Sequence, residues 1–178
     1  MKTAMRNLGL ALALAVVAPV MGRAGSAGPK GSGNLVNKVR HELLMLPYYG
    51  IFDDLNYRVD GNVVTLSGAV TWPTLKADAQ RVVGRLEGVG QVVNHIEVLP
   101  LSPFDDGIRR AEYRSIFGYA SLYRYALGSH PSIHIIVDNG QVTLEGVVGN
   151  QGDKTIAGIR ANSVSGVFSV TNHLVVSN

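Results

Sequence analysis

The stretch Val63-Val64-Thr65-Leu66-Ser67-Gly68-Ala69-Val70 is written again 78 positions later as Gln141-Val142-Thr143-Leu144-Glu145-Gly146-Val147-Val148. The same displacement sets Gly88-Val89 on Gly166-Val167, and Val92, Asn94, His95 and Val98 on Val170, Asn172, His173 and Val176. Segments 60–70 and 88–98 match 138–148 and 166–176 at six positions each, 12 identities in 22, with no gap between the blocks. The chain is therefore an internal duplication, and fold and function have to be read through the repeat.

Each copy reads as helix, strand, strand, helix, strand. In the first, Val36, Val39, Leu43 and Leu46 recur at helical spacing over 35–46, and Pro47 ends the run. Leu55, Tyr57 and Val59 alternate with polar residues, Asp60-Gly61-Asn62 supplies a tight turn, and Val64, Leu66, Gly68 and Val70 return as the partner strand. Thr71-Trp72-Pro73-Thr74 opens a second helix with a hydroxyl available to cap it and Pro73 in its first turn. Gly88 breaks that helix, and 89–98 reads as a third strand. In the second copy, Ile133, Ile135 and Val137 lead into Asp138-Asn139-Gly140, a strong hairpin signal. The first helix of this copy, about 106–127, aligns only after a one-residue slip that sets Ile116, Ala120 and Tyr123 on Val39, Leu43 and Leu46.

The expected class is α+β: two tandem αββαβ domains, each a three-stranded mixed sheet packed on two helices. The expected boundaries are a signal peptide over 1–27, a flexible lead over 28–34, a first domain over 35–98, a linker over 99–107 and a second domain over 108–178. Lys2 and Arg6, the apolar run Leu8–Val20 and the small residues of 22–27 have the layout of a cleavable export signal, with Gly22-Arg23-Ala24 or Gly25-Ser26-Ala27 as cleavage site. The apolar run is shorter than the roughly 20 residues that span a bilayer.

Removing 1–27 takes Lys2, Arg6 and Arg23 with it. The chain's 16 Lys+Arg against 13 Asp+Glu then becomes 13 against 13. A nucleic-acid role loses its electrostatic support. The chain has no cysteine, which excludes thiolate chemistry and thiolate metal sites. The reading is a periplasmic protein.

Two units carrying Gly-x-Val-x-Leu-x-Gly-x-Val on the hairpin, with Asn62 at the leading position in the first, and Gly-Val-x-x-Val-x-Asn-x-Leu/Ile on the last strand resemble the BON domain family of exported bacterial proteins. The residues are 62–70 with 88–96, and 140–148 with 166–174. The resemblance covers everything after residue 34. It implies an αββαβ fold, an envelope location, and roles in envelope maintenance, osmotic protection and phospholipid binding.

The repeated motif residues read as scaffold. Gly68 and Gly146 allow a close backbone approach or a bulge, Gly88 and Gly166 suit left-handed helix caps, and Asn94 and Asn172 suit side-chain bonds to backbone at a strand end. His95 and His173 each stand alone on a strand with no second ligand at metal spacing, and His130 and His134 beside Pro131 are no better. Asp53-Asp54 and Asp105-Asp106 suit turns and caps. No nucleophile elbow marks a catalytic serine. The expectation is a protein without catalytic residues, metal or cofactor.

The surface candidate is 109–125, which holds five of the chain's 12 aromatics with Arg109, Arg110, Arg114 and Arg124. Tyrosine rings beside arginine stems suit a membrane interface. Arg110, Arg114, Tyr119, Leu122 and Tyr125 are the candidate contacts for weak, peripheral binding to an anionic phospholipid surface. Against this, Asp105 and Asp106 sit four before Arg109 and Arg110, the orientation of intrahelical pairs. Tyr113, Phe117 and Ala120 fall on the face that must cover the sheet. The competing class is a scaffold module that binds an envelope protein through unpaired sheet edges.

Overall fold

The computed structural model describes residues 30–128 and 130–177. The expected export signal and the first two residues of the lead lie outside them. The first unit runs α1 (Lys30–Leu44), β1 (Asp54–Asp60), β2 (Val63–Val70), α2 (Pro73–Gly84), β3 (Gln91–Asn94) and β4 (Glu97–Val98). The second runs α3 (Pro103–Phe117), a 3₁₀ turn at Tyr123–Ala126, β5 (Ile133–Asp138), β6 (Gln141–Val148), α4 (Gln151–Asn162), β7 (Ser169–Asn172) and β8 (Val175–Val176).

In each sheet the quoted strand is the centre. β2 pairs antiparallel with β1 (Tyr57↔Leu66) and parallel with β3 and β4 (Val64↔Val92, Ala69↔Glu97). β6 repeats the register 78 residues on, with Ile135↔Leu144, Val142↔Val170 and Val147↔Val175. Alternation along β2 sends Val64, Leu66 and Val70 to the core, where each is fully buried with Val39, Leu75, Ala79 and Val83 of the covering helices. Val142, Leu144 and Val148 do the same in the second unit. Burying one such side chain is worth about 1.5–3 kcal/mol.

The third strand is divided where one run over 89–98 was expected. The pairing offset to β2 is unchanged across the break, so β3 and β4 are one strand interrupted at His95-Ile96. Asn94 causes the break: its Oδ1 accepts from Ile96 N at 3.1 Å and its Nδ2 donates to Lys76 O on α2 at 3.0 Å. Asn172 repeats both bonds, to Leu174 N and Lys154 O, at 3.1 and 2.8 Å. Each asparagine therefore ties the strand to the helix beneath it, and Ile96 and Leu174 turn into their cores.

Gly68 and Gly146 have φ of +112° and +115°, and a Cβ on either would lie 2.2 or 2.1 Å from the carbonyl oxygen of Asp54 or Ser132. Of the two alternatives, close backbone approach is what requires glycine. Gly88 and Gly166 differ from expectation. α2 ends at Gly84 with Arg85 as a right-handed cap, so Gly88 (φ +95°) serves the later turn closed by Val89 N to Leu86 O. Gly166 (φ +91°) serves the matching turn after α4.

Other boundaries also moved. α1 starts at Lys30, inside the expected flexible lead. α3 starts inside the expected linker, because Ser102 caps it by accepting from Asp105 N at 3.2 Å and Pro103 suits its first turn. The Thr71 hydroxyl does not cap α2: its Oγ1 and backbone N both donate to Asp53 Oδ1, at 2.8 and 2.7 Å. In the second unit the matching amide, Gly149 N, donates instead to the Tyr125 hydroxyl at 2.8 Å.

The units meet through the segment before β1. Ile51 and Phe52 pack on the second core, Ile135 N donates to Ile51 O at 2.8 Å, and the Tyr49 ring stacks on His134 with centroids 5.5 Å apart.

Candidate functional site

The expected continuous helix over 109–125 is not formed. α3 stops at Phe117, and Gly118 lies so close to the Arg114 carbonyl that a Cβ there would be 2.4 Å from its oxygen. The chain then turns back over the sheet. Leu122 (0% exposed) and Tyr125 (9%) join the second unit's own core, so neither offers a surface. The Tyr125 hydroxyl donates to Asp153 Oδ2 at 2.6 Å, which with burial opposing holds that carboxyl below its usual range. Tyr119 is exposed but sits under the Arg160 guanidinium of α4. The one-residue slip survives only at Ile116, which is buried; Ala120 and Tyr123 are exposed. Tyr113 is also outside the core, though Phe117 is in it.

Of the five candidate contacts, Arg110 and Arg114 stay together on the outward face of α3. The intrahelical pairs expected to neutralise this helix do not form as spaced. Asp105 is buried and accepts from Asn139 N (3.1 Å) and Gly140 N (2.8 Å), holding the β5–β6 turn. Asp106 pairs with Arg109 at 2.7 Å, and Arg109 is itself buried, its second nitrogen donating to Val137 O at 2.6 Å. Glu112 is fully buried with both carboxylate oxygens unpartnered, and burial pushes its pKa to about 8. It is mostly neutral at pH 7. Arg110 and Arg114 therefore have no ion-pair partner among the described residues.

These two arginines line a hollow of about 290 Å³ with Ile51, Phe52 and Tyr113. Arg110 and Phe52 also line a neighbouring hollow of about 260 Å³, walled by Trp72, Leu99, Pro100, Leu101 and Arg109. Trp72 continues into a third, with Tyr48 and Thr74. The result is a run of shallow apolar hollows along the junction of the two units. Its rim carries Tyr48 (81% exposed), Trp72 (57%), Leu101 (92%) and Tyr113 (44%). Tyr48 is also held at φ +69°, a left-handed backbone that costs a tyrosine energy.

Trp72, Tyr48, Leu101 and Phe52 were not singled out by sequence. A signal was present: Leu101, between Pro100 and Pro103, belongs to no periodic element, and Tyr48 follows the helix-ending Pro47. Apolar residues without an element to bury them are candidates for a surface that binds.

Among the described residues no three His, Asp or Glu side chains are grouped to hold a metal ion. His173 contacts Glu145 at 2.6 Å, and His134 belongs to the junction, where burial lowers its pKa. Among the described residues no helix is long and apolar enough to cross a membrane.

No curated protein matches the chain. Among solved structures, the chain is similar to the C-terminal domain of CdsD, a structural protein of the Type III secretion system of Chlamydia trachomatis, at 13% identity and a TM-score of 0.29 over 82% of this chain and 98% of that one. A second CdsD structure gives 12% identity and a TM-score of 0.31 over 81% and 92%. The BON domain model matches residues 33–100 and 114–178, leaving out the first turns of α3 that carry Arg109, Arg110 and Glu112. The repeat, its register and these two matches agree: the chain belongs to the BON domain family, with two domains in tandem.

Proposed function

We propose that this protein is a non-enzymatic envelope protein, exported to the periplasm by a cleavable signal, that binds anionic phospholipid surfaces peripherally and so supports envelope integrity under osmotic stress. The observation that carries the reading is the junction rim, where Trp72, Tyr48 and Leu101 lie beside Arg110 and Arg114. Aromatic rings and a leucine enter the headgroup boundary while unpaired cations meet lipid phosphates. Each cation near such a surface contributes about 1 kcal/mol, so the binding is weak and salt-sensitive. Family membership supports the same reading.

Co-sedimentation with vesicles tests it. The protein should pellet with anionic vesicles at low salt and stay in solution with zwitterionic ones. Equal binding to both, or binding unchanged by Arg110→Glu with Arg114→Glu, overturns it.

A further inference from the structure

The two units treat the same sheet edge differently. In a hairpin closed by Asp60↔Val63, the even residues of β1 bond to β2, and Leu55, Tyr57 and Val59 point their backbone groups outward. The outward residues of β5 are Ile133, Ile135 and Val137. That second edge is covered: Ile51 O accepts from Ile135 N, and buried Arg109 donates to Val137 O. Among the described residues nothing bonds to the outward groups of Tyr57 and Val59. Proteins normally cover or blunt such an edge.

We propose that this open edge pairs with the same edge of a second copy, antiparallel about Val59, joining the two first units' sheets. The charge pattern selects that partner and that register. The solvent-facing residues beside Val59 are Arg58 and Asp60, both exposed. A strand with opposite charges two residues apart complements its own reverse. Val59 opposite Val59 sets each Arg58 across from the partner's Asp60, twice over, and uses only the open groups. Moving one residue sets Arg58 against Arg58. Moving two sets Asp54 against Asp60. Opposite charges directly across a strand pair stabilise it and like charges destabilise it. The edge is short, so the dimer is weak and forms as concentration rises.

Sedimentation equilibrium of the purified protein over a concentration series tests this, with backbone hydrogen exchange in parallel. The wild type should dimerise reversibly, with the Val59 amide slowing as dimer forms. Arg58→Asp or Asp60→Arg alone should weaken the dimer about tenfold, and the double swap should restore it, since it recreates both pairs with reversed sign. The intrachain Arg58–Asp60 pair is exchanged in the same way but cannot alter concentration dependence. A monomer at every concentration, a dimer whose Val59 amide exchanges freely, or protection seen only with another protein present overturns the proposal.

Discussion

The guanidinium of Arg109 donates to the carbonyl oxygen of Val137 at 2.6 Å, joining α3 to the outer edge of β5. The same side chain takes Asp106, which spacing alone would assign to Arg110. One buried arginine thus closes a sheet edge and leaves its neighbour's charge facing outward. Arg109→Ala should lower the second unit's stability by about 3 kcal/mol, because it strands a buried carbonyl and opens a packed site. Arg110→Ala should change it by less than about 0.5 kcal/mol. Denaturant unfolding of both variants checks the contrast.

Glu112 makes stability pH-dependent with an unusual sign. Its carboxyl titrates near 4.5 when unfolded and near 8 when folded, raised by burial alone. Between those values the folded state holds the extra proton. The stability is therefore complete below about pH 4.5, falls as pH rises toward 8, and is level above that. The loss amounts to a few kcal/mol at about 1.4 per pH unit. Glu112→Leu should flatten this slope and raise the melting temperature at pH 8; a slope unchanged in that variant would assign the effect elsewhere.

Asn94 and Asn172 should behave alike. Alanine at either removes the bonds that tie the strand break to the helix and leaves the Ile96 or Leu174 amide unmet, at a cost of about 1–3 kcal/mol each. The sites are in separate units, so the double variant should show additive losses by thermal unfolding.

Gly146→Ala should be worse than a helix-surface glycine change. It combines φ +115° with a Cβ 2.1 Å from Ser132 O, whereas Gly107 has open space. The Gly107→Ala variant should unfold at or above the wild-type temperature, and Gly146→Ala well below it.

Most of the scaffold was legible because the repeat states it twice. The hairpins, the buried stripe of β2 and the binding mode of Asn94 follow from local periodicity and turn chemistry. The division at His95-Ile96 was not legible, since the residues keep strand character and only the Asn94 bonds to Ile96 and Lys76 break the run. The candidate surface was half legible. Arg110 and Arg114 face outward on α3, but Leu122 and Tyr125 were read onto a helix that Gly118 ends. Whether a tyrosine beside an arginine faces water or a core depends on that chain reversal, which composition does not encode. Trp72 joined the surface only when the second unit's helix was set beside it.

Trp72 is the chain's one tryptophan and lies on the rim of the junction. Its fluorescence therefore reports the proposed membrane-facing surface directly. Titrating the protein with anionic vesicles at low salt should shift its emission to the blue, with reversal on adding salt and a weakened response in Arg110→Glu with Arg114→Glu. Binding to the vesicles with the Trp72 emission unchanged would place the contact elsewhere on the molecule and contradict the account.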